Sequence, residues 1–434
     1  MSEIRPLCGV RYNGAKIPDC AAVICPPYDV ISPAGQRALY ERSPYNFVRI
    51  EYGETQPQDT EANNRYTRAA ACFKEWRDSG VLIEDPLPAI YVHDHYFTYQ
   101  GREYRRRGLA CRVRLEEWER MIVRPHEHII AAHKGDRIRL IGALGANTSP
   151  VLAMYRDDSG EIGHALAKAA DGRPVAQSSL MDGERHELFA INDPREIACL
   201  ERAFAALPLY IADGHHRYES ALAYRREQSA LHPEASAETP FNYVLMTLID
   251  MDDPELLILP PHRLLRGLSQ DKLAELENRL GAFFDVEIAV PEAPEVWQRI
   301  EELQGRTDEL RLVLAGPGNL IRALKLREFE DAACLMPVER TDIYRKLDVS
   351  LVDHIILEHI LELKSDDATA VAFSYDRTET TDKVVNGDYQ LAFIVKPVRP
   401  EIIMNIADAR DRMPRKSTYF YPKLPSGLLV NRVV

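Results

Sequence analysis

The chain has 434 residues, 45% hydrophobic and 28% charged, a composition ordinary for a globular protein of about two or three domains. Its formal net charge of −13 argues against a generic nucleic-acid or acidic-membrane binder, because phosphate backbones need a basic face. The start, MSEIRPLCGV, has no apolar signal core and no run of about eighteen apolar residues occurs, so a cytoplasmic protein is expected; the seven scattered cysteines, with no C-x-x-C pair, argue against disulfides and a zinc knuckle.

A short strand is expected around Leu7 to Tyr12. Pro26, Pro27 and Pro33 then forbid a helix and fix ICPPYDVIS as a rigid loop, whose tyrosine and aspartate either line a site or cross a surface. Phe47 to Glu51 alternates as a strand, with Arg49 and Glu51 on one face as cross-strand ion-pair partners. Asp59 to Ser79 reads as a helix stopped by Gly80. Ala89 to Tyr99 and Arg107 to Leu115 read as a β-hairpin turning at Gly101, with Arg102, Arg105, Arg106 and Arg107 as solvated charges. Gly135 to Gly145 is helical, and Val151 to Tyr155 and His186 to Ile191 are strands. Asp193 as N-cap with Pro194 at the first helical position starts a helix running to about Ala206.

Phe241 to Ile249 reads as a strand, and Pro260-Pro261-His262-Arg263 as a rigid turn presenting one histidine and one arginine. A helix over Leu268 to Leu280, another around Trp297, and strands around Leu312 and Ile321 make an αβ insertion or second domain. Asp348 to Leu363 is an amphipathic helix in which His354 and His359 are packing or surface residues. After a helix from Ile402 to Arg410, the segment KSTYFYPK is expected as an ordered polar loop carrying Lys416 and Lys423.

The densest chemistry lies in LYIADGHHRYESAL. Leu209 to Ala212 form a short buried strand, Asp213-Gly214 a turn, and the residues from His216 onward a helix. A helix start offers unpaired N–H groups and a partial positive charge, and Gly214 lets a ligand approach the backbone. With His215, His216 and Arg217 at the mouth, the stretch is a site for an anion, most naturally phosphate. A second polar cluster, Arg124, His126, Glu127 and His128, is framed by strand ends. A carboxylate flanked by imidazoles suits a general base, since neighbours tune its proton affinity.

Phosphate-loop, nucleophile-elbow, zincin and dinucleotide fingerprints are absent. Two chemical readings survive. In the first, the Asp213 turn binds the phosphates of a nucleotide or phospho-metabolite, Glu127 is the base and Mg²⁺ neutralises charge. In the second, His126, His128, His215, His216 and Asp213 hold a transition metal that activates water. Arg124 and Arg217 within the same clusters prefer anions, which favours phosphoryl transfer.

ICPPYDVIS, NFVRIE, RPHEHI, ADGHHRYESAL, PPHRLL and KSTYFYPKLPSGL, in this order, resemble over essentially the whole chain the bacterial and archaeal family catalogued as domain of unknown function ten-fifteen. Within that pattern DGHHR is similar to the D-G-H-x-R nucleotide site of the partition-protein-like free-serine kinases, whose fold is shared with sulfiredoxin. The resemblance implies a catalytic glutamate N-terminal to the loop in an H-E context, which Glu127 matches by type and order; the long separation would make Ala131 to Leu207 an insertion.

The expected fold is α+β: mixed sheets with helices, a partition-protein/sulfiredoxin-like nucleotide-binding core and an inserted or second αβ domain. The expected division is 1–265 as the phosphate- or nucleotide-binding catalytic domain, 266–345 as the insertion, and 346–434 as a helix-strand segment returning KSTYFYPK to the site. The expected activity is a phosphotransferase or phosphatase on a small hydroxylated metabolite, free serine or phosphoserine leading by the kinase resemblance. Glu127 would deprotonate the acceptor; Asp213 would position Mg²⁺ or the acceptor; Gly214, His215, His216 and Arg217 would cradle the phosphates of ADP or ATP; Arg124, His126, His128, Lys416 and Lys423 would bind substrate. The alternatives are a nucleotide-dependent regulatory or partner-binding protein and a metal-dependent hydrolase.

Overall fold

The computed structural model describes residues 2–127, 131–289, 311–316 and 320–434. The chain forms two compact units, one of Met1–Pro125, Ile129–Leu256 and Pro422–Val434, the other of His126–His128 and Leu257–Tyr421. These limits lie elsewhere than the three-part division at 265 and 345. The architecture is mixed α+β. Among the described residues no helix is long and apolar enough to cross a membrane.

The first unit is built on a nine-stranded mixed sheet. Its strands are β1 (Ile4–Arg5), β2 (Ile90–Tyr99), β3 (Arg102–Arg114), β4 (Val123–Arg124), β5 (Val151–Tyr155), β6 (Ala176–Gln177), β7 (Glu184–Ile191), β8 (Leu209–Asp213) and β9 (Tyr243–Asp250). They lie in the order β4-β8-β5-β9-β3-β2-β7-β6, with β1 against β3. The pairs β4·β8 and β5·β9 are parallel and the rest antiparallel. The Pro194–Ala205 helix begins at Asp193, whose side chain accepts from the Arg195 N–H, and turns Ile197, Leu200 and Phe204 toward the sheet core with Leu209 and Ile211. Tyr218, Ala221 and Leu222 of the His215–Leu231 helix join that core. A second cluster around Val10, Tyr12, Phe47, Ile50 and Trp76 holds the N-terminal segments together.

Three local expectations change. Phe47 to Glu51 is not a strand; Val48–Glu51 is a short helix. Asn46 accepts from the Val48 N–H at 3.0 Å and donates to the carbonyls of Ala22 and Ile24, so a side-chain-anchored turn overrides an alternating pattern. Arg49 and Glu51 therefore do not share a strand face: Arg49 donates to the Tyr40 carbonyl and Glu51 accepts from Arg137. The helix expected from Asp59 starts at Arg65, because Asn64 and Thr67 form a capping box there.

The second unit holds a six-stranded antiparallel sheet of β10 (His262–Leu265), β11 (Phe284–Ala289), β12 (Arg311–Gly316), β13 (Leu320–Leu326), β14 (Val371–Ser374) and β15 (Leu391–Ile394), in the order β11-β13-β12-β15-β10-β14. The helix expected around Trp297 lies outside the described residues. The helix expected over Asp348 to Leu363 is present, wound as a π-helix over Leu351–Ile360. Part of KSTYFYPK is strand, not loop: Tyr419–Tyr421 pairs antiparallel with Leu257–Leu259. Arg263 is buried and pins this unit, donating to Asp353 at 3.1 and 3.3 Å and to the carbonyls of Pro261 and Lys416.

Candidate functional site

In the first unit, β8 ends at Asp213 and the Gly214 N-cap starts the His215–Leu231 helix. Gly214 has a φ of 90°, which strains any side chain, and a Cβ there would stand 2.8 Å from Arg217 Nε and 2.9 Å from its Cζ, so a side chain would displace the Arg217 guanidinium. Gly214 brings no capping side chain to the positive end of the helix. Arg217 folds back across it, Nη2 donating to Asp213 Oδ2 and Nη1 to the Pro150 carbonyl. Lys423 Nζ donates to the other Asp213 oxygen, Oδ1. Burial alone would raise the Asp213 pKa, but Lys423 and Arg217 outweigh it and hold the carboxyl well below its ordinary value. The arrangement is two cations on one carboxylate at a helix N-terminus.

Other motifs of the first unit meet around this centre. Ser426, from KLPSGL, bridges Cys25, from ICPPYD: the Ser426 N–H donates to the Cys25 carbonyl at 2.8 Å. The Gly427 N–H donates to the Thr148 carbonyl. Ser149 and Pro150, consecutive residues, reach two different partners. The Ser149 hydroxyl donates to Glu51 Oε1 at 3.3 Å, while the Pro150 carbonyl receives Arg217. Arg137 also donates to Glu51 Oε1, at 3.1 Å, and its guanidinium lies 3.9 Å from the centre of the Tyr28 ring. Burial lifts the Tyr28 phenol to about 12 against the pull of Arg217 and Arg137.

The structure therefore brings together Asp213, Gly214, Arg217 and Lys423. His215 is buried at the helix start and contributes to lowering the Asp213 pKa, and the His216 carbonyl accepts from Ser220 Oγ. Arg124 also belongs to the first unit, donating to Tyr210 Oη and the Met121 carbonyl. His126, Glu127 and Lys416 belong to the second unit. There His126 Nε2 lies 3.1 Å from Thr418 Oγ1, the His126 carbonyl accepts from the Met413 N–H, and Lys416 is exposed, its carbonyl taken by Arg263. His128 lies outside the described residues. Sequence reasoning gave Glu51 only a cross-strand ion pair, passed over Arg137 and Ser149, and left Tyr28 undecided. The only signal was that ICPPYDVIS and NFVRIE each carry a polar residue behind an unusual turn.

Asp213 does not suit a resident Mg²⁺. Both its oxygens already face positive nitrogens, so a divalent ion would meet Lys423 and Arg217. Among the described residues one group could hold a metal, and it is not built from the histidines named above: His95, Glu184 and His186, with ligand atoms within 4.8 Å of one another. His95 and His186 face each other across β2 and β7, and Arg106 on β3 faces His95 from the other side. Arg106 Nη2 lies 3.1 Å from His95 Nδ1. Arginine can only donate, so His95 Nδ1 accepts and Nε2 carries the proton, directed at Glu184 Oε2 at 2.7 Å. That nitrogen has no lone pair for a metal, and a buried guanidinium stands beside it. Burial lowers the pKa of His95 and of His93 well below the ordinary value, brings His186 to about 3, and raises Glu184 to about 7. The group is a hydrogen-bonded chain running from the Arg106 guanidinium through His95 to Glu184.

Residues 4–350 match the family described as Protein of unknown function (DUF1015), and the chain belongs to that family. No curated protein matches it. Among solved structures it is similar to a free serine kinase in complex with AMP, at 13% identity over 69% of this chain and 83% of that one with a TM-score of 0.33. It is also similar to SbnI with C-terminal truncation from Staphylococcus aureus, at 10% identity over 73% and 85% with a TM-score of 0.34. A conserved hypothetical protein from Pyrococcus furiosus aligns at 12% identity over 70% and 90%, with a TM-score of 0.33.

Proposed function

We propose that this member of the DUF1015 family is a phosphotransferase or phosphatase acting on a small hydroxylated metabolite, with free serine or phosphoserine as the leading substrate. The observation that carries the reading is the meeting of Lys423 and Arg217 on Asp213 where Gly214 opens a helix. An entering phosphate can draw both cations, add the helix's positive end, and approach the backbone where no side chain stands. Gly214, His215, His216, Arg217 and Lys423 are the phosphate cradle, with ATP or ADP as the donor or acceptor nucleotide. Glu127 is the base, taking the proton from the acceptor hydroxyl or, in the hydrolytic direction, from water. Arg124, His126, His128 and Lys416 are assigned to substrate charge.

Ligand that binds only the native state raises its melting temperature by mass action. A thermal-shift panel of ATP, ADP, CTP, phosphoserine and pyrophosphate on wild type, Arg217→Ala and Lys423→Ala tests the cradle. The expected result is a rise in wild type that both variants lose, each measured against its own ligand-free midpoint. No rise with any phosphate compound overturns the reading. Where turnover is found, Glu127→Gln is expected to slow it about 10²- to 10⁴-fold while nucleotide binding is retained; an unchanged rate removes Glu127 from the chemistry.

A further inference from the structure

Glu51 is 1% exposed, and its two carboxylate oxygens are treated unequally. Oε1 accepts from Arg137 Nη1 at 3.1 Å and from the Ser149 hydroxyl at 3.3 Å. Oε2 is buried and has no hydrogen-bond partner among the described residues. A carboxyl oxygen shut away from water without a donor is costly, and one left unpaired in an otherwise satisfied side chain calls for a donor from a ligand. The place is significant. Ser149, which holds Glu51, is followed directly by Pro150, whose carbonyl holds Arg217, and consecutive Cα atoms stand only about 3.8 Å apart. Tyr28 feels the charges of Arg217, Arg137 and Glu51 together, so the unpartnered oxygen and the anion-holding cations share one neighbourhood of the first unit.

A ligand serving both features carries an anion at one end and a strong donor at the other. The donor that best offsets a buried carboxylate oxygen is a cation. We infer that Glu51 Oε2 accepts from the ammonium group of the ligand, so that the site takes amino-acid-like phosphate compounds in preference to phosphorylated hydroxy acids. This inference rests on the phosphate reading of the Asp213 turn. Glu51 is a positioning and selectivity residue, because its carboxylate reads the group next to the reacting hydroxyl and takes no part in phosphoryl transfer.

O-Phosphoserine and 3-phosphoglycerate share a phosphate, a carboxylate and a three-carbon frame, and differ in bearing ammonium or hydroxyl on the central carbon. Titration calorimetry with these two and with inorganic phosphate, on wild type and Glu51→Gln, separates the possibilities. Wild type is expected to bind phosphoserine roughly 10- to 100-fold more tightly than 3-phosphoglycerate, the range of a hydrogen bond to a charged group. Glu51→Gln is expected to lose that preference with inorganic phosphate affinity unchanged. Should the variant fail to fold, the wild-type preference alone decides. Equal wild-type affinities for the two compounds, or a preference that survives in Glu51→Gln, overturn the inference and leave an internal water as the partner of Oε2. Absence of any phosphate binding by wild type overturns the anion-site reading itself, and this inference with it.

Discussion

Arg263 in the second unit and Arg217 in the first are both buried, and both meet an aspartate. Their surroundings differ. Arg263 divides its donors between Asp353 and the carbonyls of Pro261 and Lys416, and among the described residues neither it nor Asp353 has a buried polar side-chain atom without a partner. Arg217 shares its aspartate with a second cation, Lys423, beside a glycine whose left-handed backbone strains any side chain and near a carboxylate oxygen with no donor among the described residues. A buried ion pair closed by carbonyls fixes a chain path, whereas two cations on one aspartate, with an unmatched acceptor nearby, suit a site. Burial and pairing alone do not distinguish a staple from a site; the balance of donors against acceptors does.

The sharpest way to break this comparison is to remove each arginine in turn. Arg263→Ala leaves Asp353 buried without its partner and is expected to destabilise by about 3–5 kcal/mol, with phosphate binding at the Asp213 turn retained. Arg217→Ala is expected to cost less, about 1–3 kcal/mol, since Lys423 still neutralises Asp213, but to abolish the phosphate response. Urea unfolding followed by fluorescence, with and without 10 mM-scale phosphate, reads both, and equal losses of stability would erase the distinction. Next in size, Gly214→Ala forces an alanine into a left-handed conformation and onto Arg217, with an expected loss of about 1–2 kcal/mol together with ligand binding.

A smaller effect sharpens the role of Lys423. The native pKa of Asp213 lies below the unfolded value of about 3.9, so its contribution to stability is present above that pH and is lost as pH falls through the native value. Lys423→Met should lift the native value, shrinking the contribution and moving its loss to higher pH; melting midpoints between pH 2 and pH 6 would report it. Glu184 has the opposite sign. Its native pKa of about 7 exceeds the ordinary 4.5, so the native state binds the extra proton in that window and stability declines as pH rises through it. Glu184→Gln is expected to flatten that slope, and an unchanged profile would show that this carboxyl titrates normally.

What could be read from the sequence was mostly local. Asp193 and Pro194 announce their helix by rules confined to one turn, and Asp213-Gly214 behind four apolar residues announces a strand, a turn and a helix start. Glu51 misled because FVRIE alternates like a strand, while the Asn46 turn that curls it into a helix depends on the distant carbonyls of Ala22 and Ile24. Arg137 sits in an unremarkable helical pattern, and only the tertiary fold brings it to a carboxylate 86 residues away. The histidine chain was equally hidden. His93 and His95 alternate onto one face of their strand, but His186 reaches them through sheet register across 93 residues. Side-chain function in both cases is a property of pairing between segments, which no local periodicity encodes.

Lys423 and Asp213 lie 210 residues apart in the sequence. A ribosome adding about 5–20 residues per second finishes that stretch in roughly 10 to 40 s. Until then only Arg217 of the two cations exists to meet Asp213, and the second positive charge arrives only after all of the second unit, which ends at Tyr421, has been made. The full set of charges around Asp213 is therefore among the last features the growing chain completes.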